Sequence, residues 1–181
     1  KSTAATASTL LAIALLLPTT AGTREPARAA AGAATEMFVL SERCIACHNG
    51  LVDDDGNNIS FSDDWPSTMM ANSARAPYWQ AGVRREGIDH PGARSAIEDE
   101  CSKCHMPMHR TQAAASGELG RVLAHTAAGT FDPTQTPLAM DGVSCAMCHQ
   151  IGPEGLGQPE SFVGGYVVDT QTPLGERPAY G

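Results

Sequence analysis

Lysine and aromatic side chains are scarce in this 181-residue chain. Only Lys1 and Lys103 carry an amine side chain, and the formal charge is −8. Nucleic-acid binding needs clustered Lys and Arg, so this balance argues against a nucleic-acid partner and favours partners with a basic docking face. Aromatic residues make up 5% of the chain, which is little material for a core of ordinary size.

Long apolar runs are also lacking, apart from a short one near the start. Its centre is Leu10–Leu17, inside the uncharged stretch Ser2–Thr23. This pattern is typical of a secretory signal peptide, with cleavage expected near Ala21 or Ala30. The alternative is a retained signal anchor, because 22 uncharged residues reach across a bilayer at about 1.5 Å each.

Either interpretation predicts an extracytoplasmic protein. We expect residues 1–30 to be the signal peptide or anchor and residues 31–36 to be a linker, so the rest is periplasmic or extracellular. An anchor would also attach it to the membrane. No cysteine precedes Cys44, so we expect no lipoprotein anchor.

Cysteine occurs only in three copies of one pentapeptide: CIACH at 44–48 (motif 1), CSKCH at 101–105 (motif 2) and CAMCH at 145–149 (motif 3). Cys-x-x-Cys-His is the attachment signature of c-type haem, in which both thiols bond the porphyrin and the histidine binds the iron. The predicted attachment residues are Cys44, Cys47, Cys101, Cys104, Cys145 and Cys148, and the proximal iron ligands are His48, His105 and His149. Since no cysteine is left for a disulfide or zinc site, the sequence predicts three haem c groups.

Covalent haem also explains the small stock of large side chains, because each porphyrin is an apolar plate against which residues pack. We therefore expect a small multihaem cytochrome c fold, mostly α with long irregular loops, organised around three covalent haems. The trihaem domain is predicted at 37–151. Residues 152–181 are rich in Gly and Pro and form a C-terminal extension, and the chain beyond Gly181 is left open.

Low-spin haem needs a second axial ligand, normally His or Met. Three histidines remain outside the motifs, so the candidate distal ligands are His90, His109 and His125. Taken singly, each is equally well explained as a surface histidine, and His125 is the one expected to be most exposed. The methionines that compete as ligands are Met69, Met70 and Met108, of which the first two are expected to pack inward.

Local patterns predict several helices. One is expected over Ser67–Arg85 with an interruption at Pro77, and a second over Pro91–Cys104 that delivers motif 2 at its end. A weaker third helix is predicted over Gly117–Ala128. The run Phe162–Val168 is the one strand-like segment.

Four segments together resemble a known family: Trp65–Asn72, Tyr78–Trp79, Cys101–Pro107 and Asp141–His149. Over Met37–Ile151 the chain resembles multihaem c-type cytochromes related to the tetrahaem electron acceptors of hydroxylamine oxidation, although it has three motifs. The resemblance implies a mostly helical fold with haems in close stacked or perpendicular pairs. It implies the same roles for the motif residues and leaves the distal ligands open.

Three functions remain in competition at this stage. The first is electron transfer through the three haems without substrate turnover, in partnership with other redox proteins. The second is a subunit of a multihaem redox enzyme acting on a small nitrogen or sulfur compound, which needs an iron with an open distal position. The third is a structural subunit of a membrane redox complex or of a self-associating cytochrome polymer.

Overall fold

Short helices joined by irregular segments form most of the part of the chain that the structure describes. This computed structural model describes residues 36–126, 129, 132 and 135–181. Helices account for 49% of them, and no β-strand occurs among them, so the prediction of a mostly α fold is confirmed. The α-helices are α1 (Ser41–Ile45), α2 (Phe61–Asp64), α3 (Pro77–Asp89), α4 (Arg94–His105), α5 (Pro107–Ala115), α6 (Gln135–Met140) and α7 (Cys145–His149). Short 3₁₀ helices are formed by Trp65–Ser67, Pro91–Ala93, Leu123–His125 and Pro159–Val163.

The two longest helices, α3 and α4, pack against each other. Motif 2 belongs to α4. Helix α3 begins at Pro77 itself, whose fixed φ suits the first helical position and whose missing N–H costs nothing there. The predicted helix over Ser67–Arg85 is therefore correct only after Pro77. Helix α4 ends at His105, so motif 2 lies at the end of a helix as predicted.

Two predicted elements are wrong in the described residues. The segment after Gly117 contains only the 3₁₀ turn Leu123–His125, because several of its N–H groups donate to side-chain carboxylates instead of helical carbonyls. The predicted strand Phe162–Val168 instead begins inside the 3₁₀ helix Pro159–Val163, which stops at Gly164 with φ +88°. Only Val168 keeps a strand-like contact, an antiparallel bridge to Ile151.

Two small apolar clusters form the core on either side of α5. Met106 and Met108 flank its first residue, Pro107, and both are fully buried, each in a different cluster. The first cluster contains Met37, Phe38, Met108, Leu138, Ala146 and Met147, and the second contains Ala74, Val83, Met106, Val122, Leu123 and Ala139. Because Ala146 and Met147 belong to motif 3, the first cluster holds that motif directly.

Residues 152–181 are attached to the predicted haem region at several places. Val168 forms an antiparallel bridge to Ile151, next to the bond from Gly152 N–H to the carbonyl of Val167 at 2.8 Å. Arg177 Nη1 donates to the carbonyl of Met37 at 2.8 Å. The segment therefore contacts the chain just after motif 3 and near the start of the described residues.

The predictions for residues 1–30 and for linker residues 31–35 lie outside the described residues. In the part of the chain that the structure describes, helices reach at most 13 residues and none is suited to spanning a bilayer.

Candidate haem sites

The three motifs share one local geometry. Motif 1 spans the end of α1 and the turn after it, motif 2 ends α4, and motif 3 is the whole of α7. A spacing of three residues on a helical turn puts the two thiols of each motif on one side. All six thiols are free, with the first cysteine of each motif half-buried and the second exposed. Each motif therefore has two free thiols on one side, one of them exposed.

Burial affects the acidity of two of the half-buried thiols. It raises the pKa of Cys101, helped by the nearby carboxylate of Glu100. Burial also raises the pKa of Cys44, with a further contribution from Cys145.

In motif 2, two neighbours fix the orientation of the His105 imidazole. Its Nδ1 lies 2.9 Å from the carbonyl oxygen of Ser73. A carbonyl can only accept, so Nδ1 carries the hydrogen and Nε2 keeps its lone pair. The Trp79 ring stacks on the imidazole, with centroids 4.1 Å apart and planes at 11°. This backbone partner is of the kind that fixes the tautomer of metal-binding histidines.

Motif 3 repeats the arrangement with different residues. His149 Nδ1 lies 2.6 Å from the carbonyl oxygen of Tyr180, so this imidazole also keeps Nε2 as an acceptor. Tyr180 N–H donates in return to the carbonyl of His149 at 2.9 Å. In motif 1, the neighbour of His48 is the exposed ring of Phe61, 5.8 Å away between centroids.

Motifs 1 and 3 lie side by side although about 100 residues separate them in sequence. Helices α1 and α7 are in contact, and Cys145 is close enough to Cys44 to contribute to its raised pKa. Just before α7, the buried carboxylate of Asp141 accepts the N–H of Ser41 at 2.9 Å and its hydroxyl at 2.6 Å. Asp141 thus attaches the first turn of α1 to the segment that leads into motif 3.

We expect the Asp141→Ala substitution to lower the free energy of unfolding by about 3 kcal/mol, because it leaves two buried donors of Ser41 without an acceptor. Denaturant unfolding of the full chain measures the loss. Asp63→Ala is the matched control, since Asp63 accepts only exposed bonds, from Asn58 and Ser62, and its effect should stay within about 0.5 kcal/mol. Equal losses for the two variants would contradict the role of Asp141.

Motifs 2 and 3 share two supports. Ser73, whose carbonyl accepts from His105, also donates its hydroxyl to the His105 carbonyl at 3.0 Å and accepts Val143 N–H at 3.2 Å. Tyr166 supplies the second support, since its hydroxyl lies 3.6 Å from Met147 Sδ. Burial raises the pKa of Tyr166, which keeps this hydroxyl protonated, and Cys104 of motif 2 and Cys148 of motif 3 are both close enough to contribute to the raised pKa.

The three candidate distal histidines fall into two environments. His90 is exposed at the end of α3, with Nε2 3.9 Å from a carboxylate oxygen of Glu86. His109 and His125 meet each other: their Nε2 atoms are 3.2 Å apart, and the rings are edge to face with centroids 4.2 Å apart. The expectation that His125 is the most exposed is wrong, since it is half-buried and His109 is buried.

The hydrogen bonds around this pair assign its tautomers. Arg121 N–H donates to His109 Nε2 at 3.3 Å, so His109 Nδ1 carries the hydrogen and donates to Gln135 Oε1. His125 therefore donates through Nε2, and its Nδ1 accepts from the Thr136 hydroxyl. Burial lowers the pKa of both rings, that of His125 to about 4, so both are neutral, the form that binds metals.

This geometry limits how the pair could bind iron. Two imidazoles on opposite sides of one metal, each at about 2.0–2.1 Å, have nitrogens about 4 Å apart. The observed 3.2 Å is too short for that arrangement. As they are placed, His109 and His125 are not the two axial ligands of one iron.

The three competing methionines differ in burial. Met69 and Met70 are exposed, which contradicts the expectation that they pack inward. Met108 is fully buried beside Met147 in the first cluster, where it fills space as methionine commonly does.

The sequence analysis did not identify four residues that support the site: Ser73, Trp79, Asp141 and Tyr166. Trp79 and Asp141 lie in segments that carry the family resemblance, which was the available signal. The role of Ser73 depends on a contact across 32 residues, for which no local pattern exists.

Within the described residues, no three His, Cys, Asp or Glu side chains are grouped as ligands of a bare metal ion. Comparison of the chain with protein-family models, curated proteins and solved structures finds no significant match.

Proposed function

We propose that this chain is an extracytoplasmic electron-transfer protein that carries three covalently bound c-type haems. The observation that carries the proposal is the set of three Cys-x-x-Cys-His motifs that contain every cysteine of the chain, all with free thiols. The carbonyl contacts that leave Nε2 of His105 and His149 as acceptors support it. So does the resemblance to multihaem cytochromes over Met37–Ile151.

A bound haem supplies a one-electron iron couple, and the residues of this chain bind, orient and insulate it. The six cysteines tether the porphyrins, and His48, His105 and His149 are the proximal ligands. His90, His109 and His125 are the candidate distal ligands. The exposed ring of Phe61 beside His48 fits an apolar porphyrin face, which would cover it.

The contacts between motifs support a spatial order that differs from the order in sequence. Motif 3 adjoins motif 1 through Cys44 and Cys145, and it is joined to motif 2 through Ser73 and Tyr166. We place haem 3 between haems 1 and 2, where haem n is the one bound by motif n. Electrons would then cross the protein through the third haem.

The acidic surface of the chain favours a redox partner with a basic docking face. The proposal places the protein in the periplasm or outside the cell, because c-type haem is attached there. The alternative partnerships are a membrane redox complex and self-association.

Intact-mass measurement of the denatured, exported chain tests the proposal. We expect a mass gain of three haems, and electron paramagnetic resonance should show mostly low-spin ferric iron. The variant Cys104→Ser should hold its second haem by one thioether or lose it. Fewer than three haems in the parent chain would refute the proposal, and a dominant high-spin signal would favour the enzyme.

A further inference from the structure

The segment 119–125, which ends at His125, is held against helix α4 by two carboxylates. Glu98 Oε2 accepts the N–H groups of both Val122 and Leu123, each at 3.0 Å. Asp99 Oδ1 accepts the N–H of Gly120 at 2.6 Å. Three backbone donors of an irregular segment thus find their acceptors on the helix that delivers motif 2.

These carboxylates are well shielded and are themselves held in place. The side chains of Glu98 and Asp99 are 12% and 13% exposed. Asp99 forms an ion pair with Arg110 Nε of α5 at 2.6 Å, and Glu98 Oε1 lies 3.2 Å from Arg94 Nε. Ionised acceptors make shorter and stronger hydrogen bonds than neutral ones, so this is a firm attachment for an irregular segment.

The segment also touches motif 2 directly. A Cβ on Gly120 would lie 2.0 Å from Ser102 Oγ, inside the motif, and 2.9 Å from Arg110 Cδ. Ser102 is fully buried under this contact. Only glycine allows so close an approach, which fixes the distance between the segment and the motif.

The attachment sets the position of both buried histidines. Leu123, bound by Glu98, is two residues before His125. Arg121, which lies between the bound residues Gly120 and Val122, donates its N–H to His109 Nε2 at 3.3 Å. A shift of the segment would therefore move His125 and remove a donor from His109.

We propose that Glu98 and Asp99 are positioning residues for iron ligation, which hold His125 and its partner His109 at a fixed place relative to the motif 2 helix. The inference rests on the proposed haem function and names the residues that prepare its distal side. Neither carboxylate touches the iron or the porphyrin in this role; both act through the backbone of segment 119–125.

Substitutions at Glu98 test the proposal in the haem-loaded full chain. Glu98→Ala removes the acceptor, and we expect one of the three haems to change from low-spin to high-spin in magnetic circular dichroism. Glu98→Gln keeps an oxygen for Val122 and Leu123 and should restore the parent spectrum. Glu98→Asp keeps the charge but not the reach, and should behave like Glu98→Ala.

The matched control is Glu100→Ala, which removes a carboxylate from the same helix. Glu100 is exposed and pairs with Lys103 Nζ at 2.7 Å, away from segment 119–125, so its loss should leave every haem low-spin. Hydrogen exchange gives a readout independent of iron: amides in 119–125 should exchange at least about tenfold faster in Glu98→Ala than in the control.

An unchanged haem spectrum in Glu98→Ala, with all three haems retained, would overturn the proposal while leaving the haem function intact. If Glu98→Ala does not fold, Glu98→Asp and Glu98→Gln decide, and equal spectra for those two would overturn it. Absence of haem from the parent chain would instead refute the proposed function itself.

Discussion

Replacing Cys145 and Cys148 together with alanine should remove one haem and change the redox titration of a second. The lost haem is haem 3. The affected neighbour is haem 1, because helices α1 and α7 are in contact and Cys44 and Cys145 lie close together. Two unit charges about 10 Å apart interact by about 1.7 kcal/mol at an effective dielectric of about 20. Solvent screening leaves an interaction of about 30–70 mV between the two irons.

A potentiometric titration followed by electron paramagnetic resonance measures this interaction. In the parent chain, the potential of haem 1 should depend on the oxidation state of haem 3, and in the variant haem 1 should follow a simple one-electron curve. The matched control is the double substitution Cys101→Ala and Cys104→Ala, which also removes one haem. If both variants change haem 1 equally, the placement of haem 3 between the others is wrong.

Gly142→Ala should be the most destabilising single substitution that we predict, at about 3 kcal/mol or more. Gly142 has φ +72°, a left-handed conformation that costs an L-residue about 1–2 kcal/mol. Its Cβ would also lie 2.5 Å from the carbonyl oxygen of Met70 and 2.8 Å from Ser73 Oγ. The clash would push motif 3 away from the segment that supports motif 2.

Thermal unfolding of the full chain checks this expectation, with a decrease in Tm of about 6–12 °C for Gly142→Ala. Gly56→Ala separates strain from crowding, because Gly56 has φ +82° and nothing within 4 Å of its Cβ position. Its cost should be about 1 kcal/mol. A Gly142→Ala variant as stable as Gly56→Ala would show that close packing against Met70 and Ser73 does not contribute to stability.

Local patterns predicted those parts of the fold that local physics decides. Pro77 and the apolar spacing around Val83 identified α3, and the pattern after Pro91 identified α4 with motif 2 at its end. The helix predicted over Gly117–Ala128 is wrong in the described residues, because carboxylates of α4 accept N–H groups that would otherwise donate to helical carbonyls. No property of that segment alone reveals those acceptors.

The sequence predicts the chemistry of the site but not its arrangement. Three pentapeptides predict the attachment residues, since the thiols and the imidazole of such a site are adjacent in sequence. The pairing of Ser41 with Asp141 spans 100 residues, and that of His149 with Tyr180 spans 31. Such contacts follow from the packing of the whole chain, and the meeting of His109 with His125 is of the same kind.

The ion pair between Lys103 and Glu100 marks a position at which the chain can be chemically labelled. Lys103 is one of two lysines in the sequence, it lies inside motif 2, and its side chain is 28% exposed. A fluorophore bound to the Lys103 amine would therefore lie within motif 2, next to the proposed attachment point of a single haem. Haem absorbs visible light strongly and differently in its two oxidation states. The emission of that label would report the arrival of electrons at one centre in real time.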